Sequence, residues 1–400
     1  MTASSLSLVI HGHFYQPPRE DPWTRTIEVQ PSAAPYHNWN ERIEAECYRA
    51  VVAARVLGAE GRIASIENLL TLISFNFGPT LLDWMETHAP DTYGTILEAD
   101  RVSRRRTGGH GNAIAQAYHH TILPLASRRE KTTEVRWGIA DFRRRFGRDP
   151  EGMWLPETAV DGETLDVLAQ EGIAFTVVAP HQLEELPKGG QPGRLRTPGG
   201  RSIVLFPYHG PLSHGVAFGS LLANAEGWAE AILKAGGEEG QGSPPGGKEG
   251  PDGEPPAKQP KEPTHPPASR LVSIATDGET YGHHHRFGEM ALASVLGSLS
   301  RREGVRVENF SSFLARTSEL EEVVLNEPSS WSCTHGVERW RSDCGCKMNP
   351  SLDTQQAWRA PLREAMDWLS TRLHALYEDE GGTLMEDPWA ARDQLGELAT

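Results

Sequence analysis

Two carboxylates, Glu157 and Asp277, each close a short apolar run: "GMWLPE" at 152–157 and "LVSIATD" at 271–277. An apolar run that stops on an acid reads as a buried strand delivering that acid to its C-terminal end. In α/β folds this is where loops converge over a packed centre. Two carboxylates facing one cavity divide acid and nucleophile roles, because proximity and unequal burial drive their pKa values apart. Cleavage or transfer of a glycosyl unit uses such a pair: one group protonates the departing oxygen while the other stabilises or attacks the anomeric carbon. His11 and His13 follow a third run, Leu6 to Ile10, at alternate positions and so on one side of a strand. Each residue also has a structural reading: Glu157 as a helix-start charge, Asp277-Gly278 as a turn, the histidines as packing or hydrogen-bonding groups. Three polar strand ends together favour a site.

Other chemistries leave weaker marks. The adjacent His283, His284 and His285 cannot all face one ion, so zinc would need a set such as His11, His13, Asp277 and one later histidine. That set would suit a metal-dependent carbohydrate deacetylase. "CTHGVERWRSDCGC" offers Cys333, His335, Cys344 and Cys346 as a closed structural site, but its spacing departs from common zinc patterns and reads instead as reduced, buried thiols. There is neither a Gly-rich phosphate loop nor a Gly-x-Ser-x-Gly elbow. Phe14, Tyr15, Trp23, Trp154, Tyr281, Trp331 and Trp340 fall near the candidate loops, where flat rings cover the C–H faces of sugars, or else serve the core.

The elements that position these residues alternate. Strands are expected at 6–10, 69–76, 110–118, 152–155, 173–178, 202–206 and 270–276, with helices over 41–58, from Pro79, up to Gly147, from about 161 to 171, near 220–235 and over 287–299. Short apolar strands separated by helices predict an α/β fold with parallel sheet and outer helices. Residues 236–268, rich in proline and glycine, predict a disordered insertion. Residues 354–380 carry Trp358, Leu362, Met366, Leu369, Leu373 and Leu376 at helical spacing, an amphipathic helix expected to pack on a helical layer.

With 39 basic and 54 acidic residues the net charge is -15, which disfavours a nucleic-acid partner and suits a neutral substrate. No apolar run reaches membrane-spanning length, and the start of the chain lacks the basic region of a signal peptide, so a cytoplasmic protein is expected.

These motifs resemble glycoside hydrolase family 57, in the bacterial branch that carries an additional C-terminal domain of unknown function. "HGHFYQPP" resembles the first family region, "GMWLPE" the third and "ATDGETYGHH" the fourth; "SFNFGPTLLDWME" resembles the second loosely, and "WSCTHGVERWRSDCGC" takes the place of the fifth with unusual cysteines. The resemblance implies an incomplete (β/α)7 barrel over residues 1–310 and a helical region over 311–400 packing on its mouth. It implies retaining action on α-glucans or maltooligosaccharides with no metal or other cofactor, Glu157 as nucleophile and Asp277 as general acid/base. His11, His13, Gln16, Trp154, Glu279, Tyr281, His284, Trp331 and Trp340 would contact substrate. A retaining pair stands about 5 to 5.5 Å apart. Departures at the second and fifth regions leave hydrolase, transferase and a non-catalytic carbohydrate-binding or regulatory protein all open.

Overall fold

A computed structural model of the chain describes residues 6–58, 60–237, 270–347, 349 and 351–399. The insertion read at 236–268 therefore lies outside the described residues from position 238 onward. The described residues form the strands β1 (Leu6–Phe14), β2 (Ala54–Leu57), β3 (Ile63–Glu67), β4 (Ser74–Phe77), β5 (Ala115–Gln116), β6 (Met153–Trp154), β7 (Phe175–Val178), β8 (Gly193–Arg196), β9 (Ser202–Pro207), β10 (Arg270–Asp277), β11 (Val305–Val307) and β12 (Glu321–Glu322). The α-helices are α1 (Trp39–Ile43), α2 (Arg49–Val52), α3 (Pro79–His88), α4 (Pro90–Arg106), α5 (Arg128–Phe146), α6 (Gly162–Gln170), α7 (Gly210–Ala217), α8 (Ala225–Gly237), α9 (Gly288–Leu299), α10 (Phe310–Leu314), α11 (Arg359–Leu384) and α12 (Pro388–Ala399).

Strand β1 is buried along its whole length, as a central strand with both faces covered must be. It pairs in parallel with β10, β11 and β4, and its register sets His13 beside Asp277 on one side and Asn76 on the other. Parallel contacts continue outward. Phe75 bridges Ala113, β5 pairs with β6, Gly152 bridges Phe175, β7 pairs with β9, and His209 N–H donates to Ser273 O at 2.7 Å beside β10.

Side-chain alternation sorts the apolar residues into two cores. Leu8 and Ile10 face the helices, in a large cluster with Leu165, Leu205 and Leu296. Val9 faces the other way, with Trp154, Phe175, Val177, Phe206, Ala275, Phe310 and Phe313. Truncating one such buried ring to alanine typically costs about 3–5 kcal/mol. Helix α5 shows how tightly the layers meet: a Cβ added to Gly138 would lie 2.0 Å from Gln116 O. Its ends are set locally, by a Ser127/Glu130 capping box and by Gly147 at φ 65°.

Several expectations change. Helix over 41–58 stops at Val52, and the antiparallel hairpin β2–β3 follows it. Of 69–76, only Ser74 onward is strand, because Asn68 caps a tight turn over Leu69–Thr71. Of 311–400, residues 315–358 are mostly irregular apart from β12 and the turn at Glu338–Trp340, and continuous helix begins at Arg359. Helix α11 does form, but its apolar side is not buried: Trp368 is 60% exposed and Leu376 56%. It spans a groove of about 1180 Å3 lined by Trp137, Trp340, Trp358, Leu362, Met366 and His374. Polar contacts, such as Arg363 to Leu125 O at 2.6 Å, tie it to the α5 side. Helix α12 packs directly on α5, where Trp137 Nε1 donates to Arg392 O at 3.0 Å. Among the described residues no helix is long and apolar enough to cross a membrane.

Candidate active site

Parallel register brings the ends of β4, β1 and β10 to one level, so Asn76, His13 and Asp277 lie side by side. The histidines are held by a directed chain of hydrogen bonds. Asn76 Oδ1 accepts from His11 Nε2 at 3.0 Å, while Asn76 Nδ2 donates to His13 Nδ1 at 2.9 Å and to Gln116 Oε1 at 2.6 Å. His13 therefore carries its proton on Nε2, which donates to His120 Nε2 at 3.1 Å. Both rings stack on Trp154, at centroid distances of 4.9 and 5.0 Å. Burial lowers His11 to about 3 and His120 to about 4; it also lowers His13, helped by the neighbouring His120 and His11. All three are neutral at neutral pH, so the carboxylates gain no cationic neighbour from them.

Glu157 lies in the turn Pro156–Thr158 and has left-handed backbone, φ 58° and ψ 18°, as has Thr158 at φ 48°. The turn is pinned from the segment after β12: Trp331 N–H donates to Glu157 O at 3.1 Å and to Thr158 Oγ1 at 3.0 Å. Trp331 Nε1 and the Ser332 hydroxyl donate to Glu157 Oε2 at 3.0 and 2.6 Å. One carboxyl oxygen is thus fixed by two donors, and its twin is left for other chemistry. Asp277 is exposed at the end of β10, yet enough protein crowds its carboxyl to weaken its hydration. That desolvation, with the negative charge of Glu157, pushes it up to about 7. The Asp277 charge acts in turn on Tyr208.

Behind Asp277, Glu279 is buried and has no ion pair among the described residues. Its Oε1 accepts from Tyr48 at 2.6 Å and from Tyr15 N–H at 3.1 Å. Tyr48 comes from a widened helical turn, Glu44–Tyr48, between α1 and α2, the kind of irregularity that recurs at functional sites. Burial, added to by Asp277 and opposed by Tyr48, raises Glu279 to about 8. Between about pH 4.5 and 8 the folded chain keeps a proton that the unfolded chain has released, so this group makes stability fall as pH rises through that window. Glu279→Gln, fixed in the neutral form, is expected to flatten the fall of the unfolding midpoint between pH 5 and 9, by an effect on the order of a few kcal/mol. Thermal melts of both proteins across that range check it; an equally steep fall in the variant would refute the assignment.

Other expected contacts sort by burial. Trp331, half-buried, faces Glu157 and meets Trp154 edge-on. Trp154 and Tyr281 have no exposed surface, and the Tyr281 hydroxyl accepts from Thr276, so both belong to the packing behind the site rather than to a sugar face. His11 likewise has both ring nitrogens occupied, by Ser74 and Asn76, and acts through its neighbours. Gln16 supports the Glu279 side, taking Arg19 Nη2 on Oε1 at 3.0 Å and bonding the Tyr48 hydroxyl. His284 is exposed between His283, paired with Glu46 at 2.5 Å, and His285, bonded to Ala217 O. Trp340 lines the groove under α11. Sequence reading passed over His120, which stacks on Tyr15 at 3.8 Å, and also Asn76, Tyr208 and Ser332. Strand pairing brings in Asn76, ring stacking His120, and the segment after β12 Ser332, all from positions distant in sequence.

Comparison with known proteins places this arrangement. The model of glycosyl hydrolase family 57 matches residues 107–325, more than half of the chain. The chain belongs to glycosyl hydrolase family 57. Residues 355–399 match a domain of unknown function, DUF3536. A 4-alpha-glucanotransferase of Thermococcus litoralis is 24% identical over 151 residues, covering 36% of this chain and 22% of that protein. Alpha-amylase 1 of Dictyoglomus thermophilum is 26% identical over 107 residues, 26% of this chain and 15% of that one. The chain thus aligns with less than a quarter of either relative's length. The crystal structure of an exo-type maltose-forming amylase from Pyrococcus sp. ST04 shares the fold, with a TM-score of 0.70 and 16% identity over 98% of this chain and 66% of that one. This family 57 chain is an α/β protein whose acidic pair lies at the ends of parallel strands.

Proposed function

We propose that this family 57 protein acts on α-glucans or maltooligosaccharides by double displacement. The observation that carries this reading is the unequal pair of carboxyls. Asp277 is pushed to about 7 by the protein crowding its carboxyl and by Glu157, whereas Glu157 has one oxygen held by Trp331 and Ser332. Asp277 donates its proton to the glycosidic oxygen as the C–O bond breaks, and Glu157 attacks the anomeric carbon to form a glycosyl ester. Water, or a sugar hydroxyl in transfer, then gives its proton to Asp277 and displaces Glu157. Tyr15 and His120, half-buried and stacked, form a flat wall suited to sugar C–H faces and hydroxyls, with His13 buried behind them and holding His120 in place. The likeness to a 4-alpha-glucanotransferase of Thermococcus litoralis and an alpha-amylase of Dictyoglomus thermophilum supports this substrate class.

The run of parallel contacts from β1 through β4, β5, β6, β7, β9 and β10 back to β1 supports our reading of the scaffold as an incomplete (β/α)7 barrel over residues 1–310. The later region supplies Trp331 and Ser332 across its mouth. Unpaired cysteines fit a reducing, cytoplasmic setting. The deacetylase reading is weakened because the ring nitrogens of His11 and His13 are engaged by Ser74, Asn76 and His120 rather than left for an ion. Incubating the full chain with amylose, glycogen and maltooligosaccharides and profiling the products tests the proposal. New reducing ends are expected from hydrolysis, and redistributed chain lengths without net release from transfer. Unchanged substrates that still bind would instead establish a carbohydrate-binding protein.

A further inference from the structure

The segment that brings Trp331 and Ser332 to Glu157 runs straight on into Cys333 and His335, and its return arm carries Cys344 and Cys346. One ligand atom from each of these four residues lies within 4.8 Å of all the others. Cys333 Sγ is 3.9 Å from both Cys344 Sγ and Cys346 Sγ, and Cys346 Sγ is 3.5 Å from His335 Nδ1. With zinc–sulfur bonds of about 2.3 Å and zinc–nitrogen bonds of about 2.05 Å, a tetrahedral ion holds sulfur pairs about 3.8 Å apart and a sulfur–nitrogen pair about 3.6 Å apart. A disulfide needs its sulfurs at about 2.05 Å. The three distances lie close to those of ligands that share one tetrahedral ion, and no two sulfurs are at bonding distance.

We propose that Cys333, His335, Cys344 and Cys346 form a closed structural zinc site. This replaces the reading of the cysteines as plain buried thiols: Cys333 is buried, but Cys344 and Cys346 are only half-buried and turn toward it. The Cys-x-His and Cys-x-Cys arms each give two ligands, and Gly345, at φ 81°, provides the left-handed turn between the second pair. On metal binding each of the three thiols releases its proton to solvent, and three thiolates with a neutral imidazole saturate the ion. The backbone N–H groups of His335 and Arg339 point at Cys333 sulfur and that of Thr334 at Cys346 sulfur, the outer bonds that steady metal thiolates. Arg339 Nη1 also grips Ser332 O at 2.8 Å. All four valences are taken by protein, so the ion touches no substrate. It crosslinks the two arms and thereby positions Trp331 and Ser332 on Glu157, a consequence that rests on the glycosidase reading, whereas the metal site itself does not.

Metal analysis of the tag-free full chain, purified without chelator, is expected to give a single equivalent of zinc. Exchange for cobalt(II) should produce the absorption of tetrahedral cobalt–thiolate. Cys344→Ser and Cys346→Ser are each expected to lower zinc affinity at least about tenfold. If these variants fold poorly, the zinc content and cobalt spectrum of the wild type carry the test alone. Reduced protein that takes up neither zinc nor cobalt on dialysis overturns the proposal. Zinc bound without any glucan turnover upholds the metal site and overturns the glycosidase reading. Full turnover in a zinc-depleted variant overturns only the positioning role.

Discussion

Glu157→Gln is expected to reduce turnover of maltooligosaccharides by about 10^4-fold or more, with the unfolding midpoint nearly unchanged. An amide is too weak a nucleophile to form the glycosyl ester, so the first displacement stops. The fold should tolerate the change because glutamine retains an oxygen that accepts from Trp331 Nε1 and Ser332 Oγ, the two bonds that fix the native side chain. Substrate binding should persist, since the wall of Tyr15 and His120 is untouched. Comparing kcat and binding affinity for the two proteins checks this. A variant keeping a tenth of the native rate would remove Glu157 from the role of nucleophile.

The second large effect concerns Asp277. A carboxyl at about 7 is protonated on the acid side of neutrality and able to donate there, so kcat/KM should fall as pH rises through about 7. The sign follows from both causes: desolvation and the negative Glu157 each disfavour the anion and hold the proton on. Asp277→Asn should cost about 10^2- to 10^4-fold in rate and abolish that alkaline limb, because asparagine neither gives nor takes the proton. The pH profiles of the two proteins decide the matter; an alkaline limb that survives in Asp277→Asn means another group is the acid. Glu279 sits behind Asp277 and titrates about a unit higher, so the same profile in Glu279→Gln separates the two carboxyls.

Much of the scaffold was legible because strong local signals marked it. β10 ends at Asp277 as its apolar run predicts, α5 starts at a capping box and stops at Gly147, and α6 lies within the expected span. What escaped was set by partners distant in sequence. The strand β2 continues the helical pattern before it without interruption and forms only by pairing with β3. The site divides the same way. Glu157, Asp277 and the histidines announce themselves at strand ends, but His120, Asn76 and Tyr208 belong to it only through register and stacking. Tyr281 and Trp154 were misread as sugar contacts because an aromatic near a loop looks the same in sequence whether it faces solvent or the core. Spacing along the chain is likewise blind to the folding back of two arms that brings Cys333, His335, Cys344 and Cys346 together.

The two consecutive left-handed residues at 157 and 158 bear on how this chain can vary. Backbone of that kind costs a non-glycine residue on the order of 1–3 kcal/mol, a burden glycine would shed at once. Drift toward greater robustness would therefore erase the acid first. A glutamate in so awkward a posture gains nothing from its own backbone, so relatives that have abandoned chemistry are expected to carry a glycine or asparagine in that place.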